Sequence, residues 1–231
     1  MPIMARRMLL CCAMLAVPTI ALSAEETSEC KPSTLNIPGA KYPCIHPDNS
    51  ATFRVAAPGA EMVQVRVGKT FDMVKGADGA WTVTTTPLVV GFHYYSLIID
   101  GAVTADPSTR TFFGSGWDNS GIEIPEGPEV DFYLHRDVPH GEVRQRWYFS
   151  KVTGQWRRCY VYTPPDYDSG NSRYPVLYLL HGWGENEQGW HTQGHVDFIM
   201  DNLIAAKKAG TSSCRLRAEH PRNAVPLGAT L

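Results

Sequence analysis

The residue types best suited to chemistry gather in one stretch, residues 174–190, "YPVLYLLHGWGENEQGW". An apolar run ends at His181, and Gly182 and Gly184 follow at once. Glycines at the exit of a strand let the backbone approach a substrate closely. Backbone N–H groups at such an exit can stabilise an oxyanion, so the stretch reads as the opening of a hydrolytic site. The alternative is an ordinary glycine-containing turn with no chemistry. Glu185 and Glu187 resemble the paired carboxylates of a glycosidase, but on a mobile polar loop they are expected to be solvated. Trp190 and His191 are candidates to line a substrate cleft.

Those residues need rigid elements behind them. Val176–Leu180 is five consecutive apolar residues, the pattern of an interior strand of a mostly parallel sheet with both faces buried. Beyond the loop, Val196, Ile199, Met200, Leu203 and Ile204 fall at i, i+3, i+4, i+7 and i+8. They predict a helix with one apolar face, closed by Lys207 and Lys208 in its last turn and by Gly210 just beyond. Before the apolar run, "GEVRQRWYFS" and "QWRRCYVYTPP" are joined by "KVTG" and predict a hairpin. Hairpin, buried strand, glycine-bearing loop and helix are the start of an α/β layered domain.

Upstream, residues 47–106 have period two. Phe53 and Val55 alternate with Thr52 and Arg54, and Val63, Val65 and Val67 with Gln64 and Arg66. Short alternating segments bounded by Gly, Pro and Asp-Gly turns, with no helical period between them, predict a small β-sandwich. Alternating aromatics there (Trp81, Phe92, Tyr94, Tyr95, with Trp117 further on) suggest either a sandwich core or a sugar-stacking platform, the core being favoured. The passage 114–128, "GSGWDNSGIEIPEGP", is rich in turn residues and is the best linker candidate.

Both ends of the chain differ from this middle. Residues 1–24 have a basic start, an apolar core and a small-residue cleavage site, as an export signal does. An uncleaved membrane anchor is the disfavoured alternative, and no membrane span is expected after cleavage. Export leaves Cys30, Cys44, Cys159 and Cys214 in the mature chain. Cys30 and Cys44 are a candidate disulfide closing a short loop, although spacing alone fixes no geometry. Cys159, on an alternating strand, reads as a buried small hydrophobe. Residues 211–231 show no period of either kind, and no strand is expected after the helix. They read as a disordered tail or out-of-frame translation of a chain cut short.

Composition excludes some classes. The 231 residues carry a formal net charge of −2, with 21 Lys and Arg against 23 Asp and Glu, so nothing suggests a nucleic-acid groove. No His/Cys cluster has metal-ligand spacing, and nothing calls for a cofactor.

Residues 156–210, with "YTPPDYD", "YPVLYLLHG" and "DNLIA" in order, resemble the start of the catalytic domain of secreted esterases with the α/β-hydrolase fold. That group includes feruloyl and acetylxylan esterases (carbohydrate esterase family one) and enterochelin-esterase-like proteins. "HPDNSATFRVAAPGAEMVQV" through "GIEIPEG" resembles the early-set, immunoglobulin-like module that precedes such domains and is related to glycogen-recognition modules. The resemblance implies two domains: an all-β immunoglobulin-like sandwich over 33–128 and an incomplete α/β-hydrolase domain over 129–210. It implies Trp183 as an oxyanion N–H donor, Gly182 as the residue that shapes the turn, and His181 as a strand-end imidazole rather than a base. The implied substrate is plant cell-wall polysaccharide or a small ester.

The nucleophile of that group sits on a G-x-S-x-G elbow, with acid and histidine after it, and the pentapeptide does not occur in this chain. Ser212, Glu219 and His220 stand in the right order. Adjacent Glu219 and His220 cannot orient one another as a triad requires, and no element supports Ser212. The chain as given is therefore expected to be inactive. The alternatives are a non-catalytic carbohydrate-binding module with a vestigial esterase segment, or a defective product whose apolar helix face is exposed.

Overall fold

The computed structural model describes residues 30–125, 127, 132–170 and 173–209, and the backbone of 213–217. The export signal, Gly210, Ser212, Glu219, His220 and the rest of the 211–231 segment apart from 213–217 lie outside the described residues.

Alternation in the first half becomes a sandwich of two sheets. In chain order its strands are β1 (Lys31–Pro32), β2 (Cys44–Ile45), β3 (Ala51–Ala56), β4 (Val63–Val67) and β5 (Lys69–Asp72). They continue with β6 (Val74–Lys75), β7 (Ala80–Thr84), β8 (Gly91–Ile99), β9 (Ala102–Thr104), β10 (Thr111–Gly114) and β11 (Trp117–Ile124). One sheet runs β1-β2-β3-β7-β6, and the other β10-β11-β8-β4-β5 with β9 added to β8. Every second residue of β3 and β4 is buried, as a half-covered pleated strand requires. Phe53, Val63, Val65, Tyr95, Leu97, Ile122 and Ile124 form one core between the sheets. Fully burying a side chain of this size contributes about 1.5–3 kcal/mol. The Tyr95 hydroxyl, deep in that core, donates to Asp106 Oδ2 at 2.8 Å. Trp81 and Tyr95 are thus core residues, whereas Trp117 is half exposed.

The linker expected over 114–128 is corrected here. Trp117–Ile124 is a central strand, paired with β10 on one side and β8 on the other. Two glycines serve packing: a Cβ on Gly121 of β11 would stand 2.6 Å from the Phe112 ring, and one on Gly114, the last residue of β10, would stand 2.3 Å from the Tyr94 ring.

The second half opens with the hairpin β12 (Glu142–Ser150) and β13 (Gln155–Thr163), in register Ser150 with Gln155. Then come β14 (Val176–Leu180), the short helix α1 (Gly189–Thr192), α2 (Val196–Ala205) and β15 (Ser213–Arg217). The sheet order is β12-β13-β15-β14, with β14 and β15 parallel.

Three sequence expectations change. A strand does follow the helix: Ser213–Arg217 fills the place between β13 and β14, where the two strands offer ladders on either side. Val176–Leu180 is not buried on both faces. It is the edge strand of the described sheet, and Val176, Leu177, Tyr178 and Leu180 are 45–56% exposed. Only Leu179 reaches the small core of Tyr162, Val196 and Met200. The apolar face of α2 is covered by that core, so the exposed apolar surface lies on β14 and not on the helix.

The helix also ends earlier, at Ala205, before the two lysines. Lys207 adopts φ 56° and its N–H donates to Ile204 O, while Lys208 N–H donates to Leu203 O. These are the two bonds of a Schellman stop, with lysine where glycine is usual. Asp201, 2% exposed, fastens α2 to the sheet: it accepts from the Tyr162 hydroxyl at 2.6 Å and from Gly141 N–H at 2.8 Å.

Cys30 and Cys44 are disulfide-bonded across 14 residues, which ties β2 to the chain ahead of β1. A loop of this length closed in the unfolded chain contributes about 3 kcal/mol. Replacing both cysteines by serine is expected to lower the unfolding free energy by about that amount in guanidinium denaturation.

Candidate functional site

The glycine-bearing loop after β14 is held from three sides. Trp190 donates its indole N–H to Leu180 O at 2.8 Å, fixing the strand end to α1. His181 Nδ1 lies 2.9 Å from Gly182 O, and Glu185 N–H closes a turn onto the same carbonyl at 3.2 Å. The third hold comes from the sandwich. Gly116 N–H, at the β10–β11 turn, donates to Gly184 O at 2.8 Å. Gly184 has φ +74°, and a Cβ there would stand 2.8 Å from Ser115 Cα, so only glycine permits this approach.

Glu185 is the centre of the seam. One carboxylate oxygen accepts from Gly182 N–H at 3.1 Å, and the other accepts from the Tyr94 hydroxyl at 3.0 Å. Gln193 donates to the same hydroxyl through Nε2. Burial, together with the hydrogen bond to the Glu185 carboxylate, pushes the Tyr94 pKa up to about 12, so this hydroxyl keeps its proton at neutral pH. The expectation that Glu185 and Glu187 are solvated is corrected: Glu185 bridges the two halves of the chain, and Glu187 is ion-paired with Arg158. Neither is arranged as a glycosidase pair.

A second tie lies at the end of the loop. His195 Nε2 is 3.1 Å from Glu123 Oε1 on β11, and Tyr133 stacks on the imidazole with centroids 5.5 Å apart. The hydrogen bond to Glu123 holds the His195 pKa above the usual imidazole value, against the opposing effect of burial.

The predicted site residues are distributed as follows. Gly182 offers its N–H to Glu185, so its amide is already engaged. Trp183 is 86% exposed, and its N–H has no protein acceptor among the described residues. Of the two oxyanion candidates, Trp183 is the one with an open donor. His191 stacks on Tyr160 at 6.5 Å and its Nδ1 lies 3.2 Å from Asp197 Oδ2, so it packs between α2 and the sheet. Cys30, Cys44 and His46 cluster closely, but the two sulfurs are bonded to one another and offer no thiolate to a metal. Sequence reasoning missed Tyr94, Gln193, Glu123 and His195 as site-positioning residues. Ninety-one residues separate Tyr94 from Glu185, and no local pattern links them.

Residues 150–212 match the family model described as "Putative esterase". The endo-1,4-beta-xylanase/feruloyl esterase of Xylanibacter ruminicola is 46% identical over 187 residues, which make up 77% of this chain and 26% of that protein. The enterobactin esterase FES of Shigella flexneri, crystallised with enterobactin, superposes with a TM-score of 0.55 at 17% identity, over 73% of this chain and 52% of that one. Ferric enterobactin esterase of Salmonella typhimurium gives 0.52 at 17% identity, over 75% and 54%. The chain therefore spans about a quarter of the curated relative and about half of the two enterobactin esterases. These comparisons make the chain esterase-like in sequence and in fold. Among the described residues no helix is long and apolar enough to cross a membrane.

Two outcomes test the seam. Tyr94→Phe removes the hydroxyl that Glu185 holds, and amide exchange at Gly182 is expected to quicken by about tenfold, read by hydrogen–deuterium exchange. The His195–Glu123 contact should titrate. Because the folded-state pKa of His195 is raised, its contribution is full below the unfolded imidazole value of 6.5 and is lost as pH rises through the folded value. Asn tolerates the left-handed backbone at His195 (φ 48°), so His195→Asn is the variant of choice. The thermal midpoint difference between the native chain and this variant is expected to shrink as pH rises above the unfolded imidazole value of 6.5.

Proposed function

We propose that the chain carries an exported, immunoglobulin-like early-set module over 33–128 and the opening part of an α/β-hydrolase esterase domain over 129–210. The proposed substrates are feruloyl or acetyl esters on plant cell-wall polysaccharide. The observation that carries this is the 46% identity over 187 residues with a protein named as a xylanase and feruloyl esterase. The open Trp183 N–H at the exit of β14 supports it, since it is suited to receive the oxyanion of a tetrahedral intermediate.

In such a reaction a serine activated by histidine attacks the ester carbonyl. The carbonyl oxygen gains charge facing Trp183 N–H, the alcohol leaves on the sugar, and water releases the acyl group. Gly182 and Glu185 set the position of Trp183 and do not touch substrate. The 231 residues contain no G-x-S-x-G, so the serine of this scheme is not assigned to any residue of the chain.

The purified chain is accordingly expected to leave methyl ferulate and aryl acetates unhydrolysed and to remain unlabelled by a fluorophosphonate probe. Stoichiometric labelling of a serine, with turnover that the label abolishes, would overturn this assignment of roles.

A further inference from the structure

Between β1 and β2 of the sandwich and the chain at 132–134 lies a cavity of about 520 Å³. That volume is within the range of small-molecule sites. Three of the residues that line it are prolines, Pro32, Pro47 and Pro125. A proline ring has almost no rotamer freedom to lose, so a ligand that packs on it does so at little entropic cost. Tyr133 adds an aromatic ring that is already fixed, since it stacks on the His195 imidazole with centroids 5.5 Å apart. Ile45 and Leu134 extend the apolar wall. Rigid, flat and apolar surfaces of this kind favour a flat ring over a flexible chain.

The polar groups at the cavity are few. Lys31 is exposed and has no ion-pair partner among the described residues. His46 lies 2.8 Å from Thr52 Oγ1 through Nε2, which leaves Nδ1 uncommitted among the described residues. Asn49 is held by its backbone alone: its N–H donates to His46 O at 2.9 Å, and its carbonyl accepts from Leu88 N–H at 3.0 Å. Its carboxamide has no partner among the described residues. The one acid among the described lining residues, Glu123, is bonded to His195 at 3.1 Å, so Lys31 carries the unmatched charge. A cation beside further hydrogen-bonding groups suits a carboxylate.

We propose that this cavity binds a small aromatic monocarboxylate, its ring packed against the prolines and Tyr133 and its carboxylate bonded by Lys31 and Asn49. Glu123 and Tyr133 also border the smaller cavity beside Gln193 and His195. A ring held against Tyr133 therefore steadies the His195–Glu123 contact, and with it the end of the reaction loop. The acid set free by the proposed ester hydrolysis is of this class. That connection rests on the esterase reading, whereas the chemistry of the cavity does not.

The test is calorimetry on the 231-residue chain at neutral pH with benzoate, ferulate, cyclohexanecarboxylate and methyl benzoate. The two aromatic acids are expected to bind, and the non-aromatic acid and the uncharged ester to bind more weakly by about tenfold or more. Lys31→Ala, at an exposed position, is expected to weaken the aromatic acids by about tenfold and to leave methyl benzoate unchanged. Thr34→Trp, on the exposed rim, fills the cavity and is expected to abolish binding of all four. Circular dichroism establishes that each variant is folded. Hydrogen–deuterium exchange locates the site, benzoate being expected to slow exchange in 44–49 and 132–134. Absence of binding by both aromatic acids, methyl benzoate binding as tightly as benzoate, or acid binding that survives both variants overturns the site. Benzoate binding with none for ferulate upholds the site and severs its connection with the ester reaction.

Discussion

The Glu185 carboxylate is the hinge on which the candidate site and the rest of the molecule meet. Glu185 accepts one hydrogen bond from the backbone that must be positioned and one from a tyrosine on a different layer of the structure. The loop has little apolar contact of its own, because Gly182, Trp183 and Trp190 are exposed. Its conformation therefore follows from polar contacts with a rigid neighbour, each worth on the order of 0.5–3 kcal/mol. Tyr94 is an effective anchor because it belongs to β8, a strand paired on both sides in the middle of the sandwich. Lose that strand and the loop keeps Trp190 on Leu180 O and Gly116 on Gly184 O, but nothing that orients Glu185.

The two halves differ in how they are stabilised. The sandwich has a continuous core of fourteen buried residues, whereas the buried cluster below α2 comprises Tyr162, Val196 and Met200. The second half compensates with buried polar contacts, chiefly Asp201 with Tyr162, Gly141 and His140, and Asn202 with the carbonyls of Phe132 and Leu134. Such contacts are directional and orient α2 well, but they contribute less than a filled apolar core. Rigidity at the reaction loop is thus borrowed from the sandwich rather than generated by the sheet from which the loop emerges.

Period-two alternation made β3 and β4 legible, because each has one covered and one open face and the pattern records it directly. The hairpin of β12 and β13 was legible from the turn at 151–154, and α2 from its apolar stripe. What could not be read depends on partners distant in sequence. Val176–Leu180 has the composition of an interior strand, but composition reports what a strand prefers and not what lies against it. In 114–124 the glycines carried the signal of a turn, which holds for Gly116 (φ 90°), whereas Gly114 and Gly121 are there because Tyr94, Phe112 and Phe92 leave no room for a Cβ. "SCRLR" alternates over too few residues to stand out, and its pairing with β13 and β14 is specified by the ladders on both sides. Glu185 looked solvated because its partner lies in a strand ninety-one positions away.

The contact between Gly184 and Ser115 bears on how such a protein can be rearranged. Two backbones meet there with no side chain between them, so the fit tolerates neither an added residue in the turn nor a bulkier one in the loop. The sandwich and the sheet that follows it are consequently not interchangeable cassettes. A chimaera that took either half from another source would need a matching turn and loop, and grafting 114–117 together with 182–195 is the smallest exchange that keeps both surfaces complementary.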